Sequence, residues 1–261
     1  MTTVKIINIR QPGGSRYFRC MAPFLMTLLL TGCWESRPKE IEQLDKLGWS
    51  VTVVTNLVTV KKPGCTDTDL ATLSEYAQKL KEQKKAMIVN LSDSKITDAG
   101  LANIKSLINI SELNLSNTGV TSKGVAAVAG LANLKNLKLK NTKVDDDALS
   151  HLSKLEHLNT LELDGCLLTG AGFESLRDLA NLETLSLNDT RVDDAGLAKL
   201  LPLPKLKYIF LDKTQITVDS LSQLKKFSGL RELSLKEIAG TIDPETQTKF
   251  KDDNPDLQVD F

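Results

Sequence analysis

Aromatic side chains are scarce, at 5% of 261 residues, and histidine occurs only at His151 and His157. A core built around a few large rings is thereby excluded, and neither histidine has a metal-ligating partner four residues further on. Neither sign of charge is in excess: 33 basic and 33 acidic side chains cancel, so no net field draws the chain to nucleic acid or to an anionic membrane. The longest apolar run, Met21 to Leu30 interrupted by Pro23 and Thr27, is too short for a membrane-spanning helix, which needs roughly 20 residues. Nucleophile-elbow, HExxH, paired CxxC and phosphate-loop patterns are missing, so an enzyme would have to assemble its site without a recognisable signature. The expectation is a chain with no catalytic residue, no cofactor and no metal.

What the chain has in abundance is leucine at a fixed interval. Leu91, Leu115, Leu139, Leu163, Leu187, Leu211 and Leu235 are spaced by 24 residues, and two positions earlier runs a second column, Val89, Leu113, Leu137, Leu161, Leu185, Ile209 and Leu233. Each unit therefore holds an apolar-x-apolar segment with the period of a strand. Its second half opens on Ile96, Val120, Val144, Leu168, Val192 and Ile216, each followed by Thr97, Thr121, Asp145, Thr169, Asp193 or Thr217. All six are helix N-cap residues, whose side-chain oxygens satisfy amides at a helix start. Three positions on stands a small residue, Gly100, Gly124, Ala148, Gly172, Gly196 or Ser220, which lets each helix begin close against its neighbour. Apolar residues at helical spacing follow, Leu101, Ile104 and Leu107 in one unit, Leu197, Leu200 and Leu203 in another. No such unit buries its apolar face alone, so the units stack.

The pattern Ile96-Thr97-Asp98-Ala99-Gly100-Leu101, seen again in Val192-Asp193-Asp194-Ala195-Gly196-Leu197, resembles the leucine-rich repeats of the ribonuclease-inhibitor-like, cysteine-containing type. The resemblance covers seven units from residue 87 onward. It implies an α/β solenoid, parallel strands on a concave face and short helices on the convex one, that binds a partner as a monomer.

Both ends of the array are legible. Val58-Thr59-Val60 and Thr66-Asp67-Thr68-Asp69-Leu70 match Val89-Asn90-Leu91 and Thr97 to Leu101 at an offset of 31, giving a preceding unit with a longer helix through Leu73, Ala77 and Leu80. Ile41, Leu44 and Leu47 with Gly48 read as a short helix and Trp49 to Val53 as a strand, together an N-terminal cap. Leu257 and Val259 fall 24 residues after Leu233 and Leu235 and predict a last edge strand. Asp252, Asp253, Pro255 and Asp260 around it would discourage pairing with another chain. The boundaries are residues 41–86 for the cap and long first repeat, 87–240 for the repeats and 241–261 for the C-terminal cap.

Before the array, Lys5, Arg10, Arg16 and Arg19 precede the apolar run with no acidic residue among them, the order of an export signal. The run ends in Leu30-Thr31-Gly32-Cys33, which resembles the lipobox of bacterial lipoproteins. That resemblance makes residues 1–32 a signal peptide, Cys33 the lipid-bearing mature N-terminus and residues 33–40 a tether. Trp34 after the cysteine, rather than Asp, favours the outer over the inner membrane. An ordinary signal peptide cut nearby, with Cys33 left as a thiol, is the alternative, and it too exports the chain.

Asp145-Asp146-Asp147 and Asp193-Asp194 lack the alternating spacing of a calcium loop, and their first residues are accounted for as caps. Cys65 aligns with the inward Ile96 column and Cys166 with Thr118, Thr142 and Thr190, four strands away. That separation is roughly 19 Å, whereas a disulfide holds α-carbons within about 7 Å. Both read as buried free thiols. His157 falls in a turn position shared with Asn133 and Asn181.

Strand residues between the inward leucines face outward: Asn114, Lys138, Glu162, Ser186, Phe210 and Ser234 in one column, Glu112, Asn136, Thr160, Thr184, Tyr208 and Glu232 in the other. Tyr208 and Phe210 are the aromatics among them, with Asn188, Asp212 and Lys236 nearby. These five residues form the candidate binding site for a protein or glycan ligand. The expected function is a non-catalytic, lipid-anchored interaction module of the bacterial envelope. An inhibitor of an exported hydrolase is the alternative, and an envelope enzyme a more distant one.

Overall fold

The computed structural model describes residues 39–261 apart from 55–56, 82–85, 108 and 241. The export signal, Cys33 and the tether as far as residue 38 lie outside the described residues. A helix at Lys39–Lys46 leads into a sheet of ten strands in sequence order: β1 (Ser50–Val54), β2 (Leu57–Lys61), β3 (Ala86–Asn90), β4 (Ile110–Asn114), β5 (Asn136–Lys138), β6 (Thr160–Glu162), β7 (Thr184–Ser186), β8 (Tyr208–Phe210), β9 (Glu232–Ser234) and β10 (Gln258–Asp260). Only β1 runs antiparallel to its neighbour; every later pair is parallel. The helix starts within the stretch read as tether, and Leu47 lies beyond its end, 44% exposed, where Gly48 at φ +84° turns the chain.

The period of 24 becomes a wall of buried aliphatics. From Leu113 to Leu233 and from Leu115 to Leu235 both inward columns are solvent-free or nearly so, and Ile96, Val120, Val144, Leu168, Val192 and Ile216 close the core at the next corner. Between them a hydroxyl column is buried as well. Ser94, Thr118, Thr142, Thr190 and Thr214 each donate to the carbonyl three residues back, at 2.6–2.7 Å. Cys166 occupies that column and donates instead across the coils, to the Leu139 carbonyl at 3.1 Å. Backbone pairing also outlasts the strands: Leu115 and Asn117 donate to the carbonyls of Lys138 and Lys140, and at the next corner Lys143 donates to Val120 and Leu167 to Val144. Each coil thus satisfies the amides of its neighbour.

In both terminal units the register departs from the sequence reading. Val60, not Val58, pairs with Val89, and Val259, not Leu257, pairs with Leu233. The spacing is 29 residues at the first step (89 − 60) and 26 at the last (259 − 233). A shift of two residues keeps every side chain on its own face, so the alternation cannot detect it. The cap residues of the first unit do keep the offset of 31, since Lys95 donates to Cys65 as Gly119 donates to Ile96. The connection from strand to cap is therefore two residues shorter there. Lys62 consequently stands where the repeats have leucine. Its ammonium lies 5.9 Å from the Trp49 ring centre and donates to the Leu47 carbonyl and to Asp69.

Five of the six cap residues start a helical turn as expected. Thr97, Thr121, Asp145, Asp193 and Thr217 have extended backbones and accept from an amide two or three residues on. At Thr169 the hydroxyl accepts from Ala171, but the turn proper begins only at Phe173. From Asp98 to Leu224 the helices are short α-turns mixed with 3-10 turns, in keeping with apolar residues three apart, whereas the first unit carries the longer helix Asp67–Lys81.

The residue after each cap has its own task, which the sequence reading missed. Asp67, Asp98, Asp146 and Asp194 each accept from both the amide and the hydroxyl of the threonine cap in the following coil, the hydroxyl bonds being 2.6–2.7 Å long. The small-residue column makes room for this grip. A β-carbon on Gly100 or Gly124 would collide with the carboxylate of Asp67 or Asp98. Where the cap is itself an acid, the gripping residue is not: Ser122 donates to Asp145, and Gly170 faces Asp193's coil with no side chain, close enough that a β-carbon on Gly170 would sit 2.6 Å from the Gly196 α-carbon. Two facing carboxylates never occur in this column, as their repulsion requires.

Burial by itself would raise the Asp146 and Asp194 carboxyls, but bonds from Thr169, Gly170 and Gly172 to the first, and from Thr217 to the second, outweigh it and hold both below the ordinary value of 3.8. Their contribution is fully present above that value and is lost as pH falls through the lowered folded values. Asp146→Ala should therefore destabilise the chain in urea by about 1–3 kcal/mol at pH 7, and the difference from the parent should close as pH drops below 3.8. Ser122→Asp, which sets a carboxylate against Asp145, should be destabilising at pH 7 and regain stability on acidification.

Candidate binding face

The outward columns of β2 to β10 make one continuous face, and its parts differ in how far their polar groups are already committed. On β5 and β6, Lys138 and Lys140 pair with Glu162 at 3.1 Å each, and Lys140 also pairs with Asp164 at 2.9 Å. Burial alone would lower the Lys140 ammonium, yet its bonds to Asp164 and Glu162 prevail and hold it above the ordinary lysine value. That quarter of the face is internally neutralised. On β3 and β4, Asn90 and Asn114 accept from the amides of Ser92 and Ser116. Asn136 donates weakly to Glu112, at 3.4 Å.

Further along, the strand exits are stitched by side chains. Asp164 accepts from the Ser186 hydroxyl and the Asn188 amide, Asn188 accepts from the Asp212 amide at 2.8 Å, and Asp212 accepts from the Ser234 hydroxyl at 2.6 Å and the Lys236 amide at 2.9 Å. Lys236 ends the chain of contacts by donating to Asp260 at 3.1 Å, and its ammonium is held above the ordinary value by that bond and charge. Three of the five candidate binding residues, Asn188, Asp212 and Lys236, thus hold successive coils together.

Tyr208 and Phe210 stand on β8 two residues apart, both half-buried, with Ile209 between them in the core. In register, Tyr208 lies between Thr184 and Glu232, and Phe210 between Ser186 and Ser234. The two serines are only 5% exposed, so the Phe210 ring rises from a floor of small residues whose hydroxyls point to Asp164 and Asp212. The Tyr208 hydroxyl has no hydrogen-bond partner among the described residues. The C-terminal segment pairs along β9 as β10, and Phe250 packs edge-on against Phe261 at 6.1 Å. Asp253 and Asp260, expected to guard the edge strand, are bound to Lys225 and Lys236.

Among the described residues no group of three or more His, Cys, Asp or Glu side chains could hold a metal, and no helix is long and apolar enough to cross a membrane. His157 is exposed in its turn and His151 half-buried in the helical turn Leu149–Leu152. Cys65 and Cys166 are free and buried. Burial, with Asp69 adding to it, pushes the Cys65 thiol up to about 11, and burial raises that of Cys166. Neither should react with iodoacetamide at pH 8 in the folded chain; peptide mapping by mass spectrometry should show both labelled only above the urea midpoint.

No protein-family model matches the chain, and no curated protein matches it. Solved structures do. An internalin of Listeria monocytogenes is similar with a TM-score of 0.61 at 21% identity, over 78% of this chain and 53% of the internalin. A leucine-rich-repeat protein of Leptospira interrogans is similar with a TM-score of 0.55 at 21% identity, over 73% of this chain and 45% of that protein. The chain thus spans about half the length of these structures. Parallel strands, short helical turns and buried leucines at a fixed step agree with that likeness: the chain has the leucine-rich-repeat fold.

Proposed function

We propose that the chain is a non-catalytic interaction module of the bacterial cell envelope, exported, anchored through a lipid on Cys33 in the outer membrane, and engaging a protein partner across the outward face of its sheet. The observation that carries the binding role is the pair Tyr208 and Phe210. They are the outward aromatics of strands β4 to β9, and the serines flanking Phe210 spend their hydroxyls on Asp164 and Asp212. Half-buried aromatics in a polar rim are where binding energy concentrates. The anchoring rests on the Leu30-Thr31-Gly32-Cys33 motif behind a basic and then apolar segment.

A photo-crosslinking residue at position 210, introduced into the full-length chain in intact cells, should give one dominant adduct. The same residue at the exposed Lys154 should not. Tyr208→Ala combined with Phe210→Ala should weaken capture by about 30-fold or more with the urea midpoint little changed. Equal adducts from both positions would refute the binding face. Cys33→Ser should abolish incorporation of labelled palmitate and move the protein from the membrane to the soluble fraction; unchanged membrane retention would refute the anchor.

A further inference from the structure

The charges around the two rings narrow the chemistry of the partner. Several carboxylates of this face have a cation beside them: Glu162 and Asp164 share Lys138 and Lys140, Glu183 pairs with Lys207 at 2.9 Å, and Asp260 with Lys236. Glu232, directly opposite Tyr208 on the neighbouring strand, has no cationic partner among the described residues. Asp212, two residues beyond Phe210, takes its two bonds on Oδ1, and the Lys236 ammonium, bonded to Asp260, feels the charge of both acids, one cation between two carboxylates. Negative charge therefore remains beside the aromatic pair.

The rings have the same property. An aromatic face is electron-rich and attracts cations, and elsewhere the chain supplies its own: Lys62 lies over Trp49, Lys225 over Phe250 and Lys251 over Phe261, at 5.4–5.9 Å from the ring centres. Tyr208 and Phe210 carry no such lysine among the described residues. Their register neighbours are Thr184, Ser186, Glu232 and Ser234, none of them basic. Two rings about 7 Å apart along one strand, with a carboxylate one strand spacing away, leave a gap of the kind a cation fills.

Resting on the binding role given to this face, we propose that β8 and β9 receive a cationic side chain of a protein partner, an arginine in preference to a lysine. A guanidinium is planar, stacks on Tyr208 or Phe210, and can direct its edge to the Glu232 carboxylate in the same pose, whereas an ammonium is a more strongly hydrated point charge. Asp212 adds attraction from the other end of the pair. A neutral glycan would leave Glu232 as uncompensated as it is now.

The test uses the full-length chain in detergent and a dye-labelled peptide, Gly-Arg-Gly-Arg-Gly, beside its lysine form and its citrulline form, which keeps the shape of arginine and removes the charge. Fluorescence polarisation should rank arginine first and citrulline last, with about a tenfold gap between them. Glu232→Gln and Tyr208→Ala should each close most of that gap, and added salt should narrow it. Equal binding of the arginine and citrulline peptides, absence of binding by both, or a gap untouched by Glu232→Gln would overturn the proposal. Crosslinking from position 210 separates this from failure of the face itself: an adduct that persists in Glu232→Lys leaves the binding face standing and its cationic ligand refuted, and sensitivity of that adduct to glycosidase would identify a glycan.

Discussion

The structure depends on one constraint, that the backbone amides and carbonyls of each coil find their partners in the coils on either side. Strands of three residues are too short to be stable by themselves, and their hydrogen bonds run onward to Leu115, Asn117, Leu139 and Asn141 and across the next corner at Lys143 and Leu167. All of these bonds form together only if equivalent residues lie over one another. The 24-residue step in the leucines is the sequence's way of meeting that condition, and the same step buries the aliphatic wall from Leu113 to Leu235, whose removal from water stabilises the stack.

On top of that ladder the side chains add a second set of links from coil to coil. Threonine caps are gripped by the aspartates before them, Asn117 donates to Asp93 and Asn141 to Asn117 at the strand exits, and Asp164, Asn188 and Asp212 hold the exits beyond. Such bonds fix register, because a slip would part the threonine caps from their aspartates or set acids against acids. A rigid sheet face follows from them. A face on which Tyr208 and Phe210 keep fixed positions binds at a smaller entropic cost than a mobile one.

The sequence disclosed what is periodic in chemical type. Leucine columns, cap residues and the two separated thiols could be read because each column repeats one kind of side chain. The column at Asp93, Asn117, Asn141, Gly165, Asp189, Lys213 and Glu237 was not legible. These residues share a left-handed backbone, with φ between 53° and 66°; five of them are Asp, Asn or Gly, the types that enter it most readily, but Lys213 and Glu237 break the column. Asp98, Asp146 and Asp194 went unrecognised as links because an acid in a first helical turn already has an ordinary explanation. The terminal strands were misplaced by two residues for want of a feature that breaks a period of two, and Lys62, standing in a leucine position, drew the first match to Val58 and Val60 instead. At the candidate site, Tyr208 and Phe210 could be picked out by composition. The commitments of Asn188, Asp212 and Lys236 could not, since their partners lie 22 to 24 residues away and sequence alone does not orient side chains.

Removing one whole coil tests the stacking principle most directly. Deletion of residues 137–160 joins Asn136 to Leu161, keeps the period and brings Ser122 against Thr169, two hydroxyls that tolerate each other. The shortened chain should retain the parent's circular dichroism per residue and unfold cooperatively in urea, with a lower m-value in proportion to its reduced buried surface. Deletion of residues 137–148, half a step, should abolish the transition. Cooperative unfolding of the half-step deletion, or collapse of the full-step one, would contradict the account.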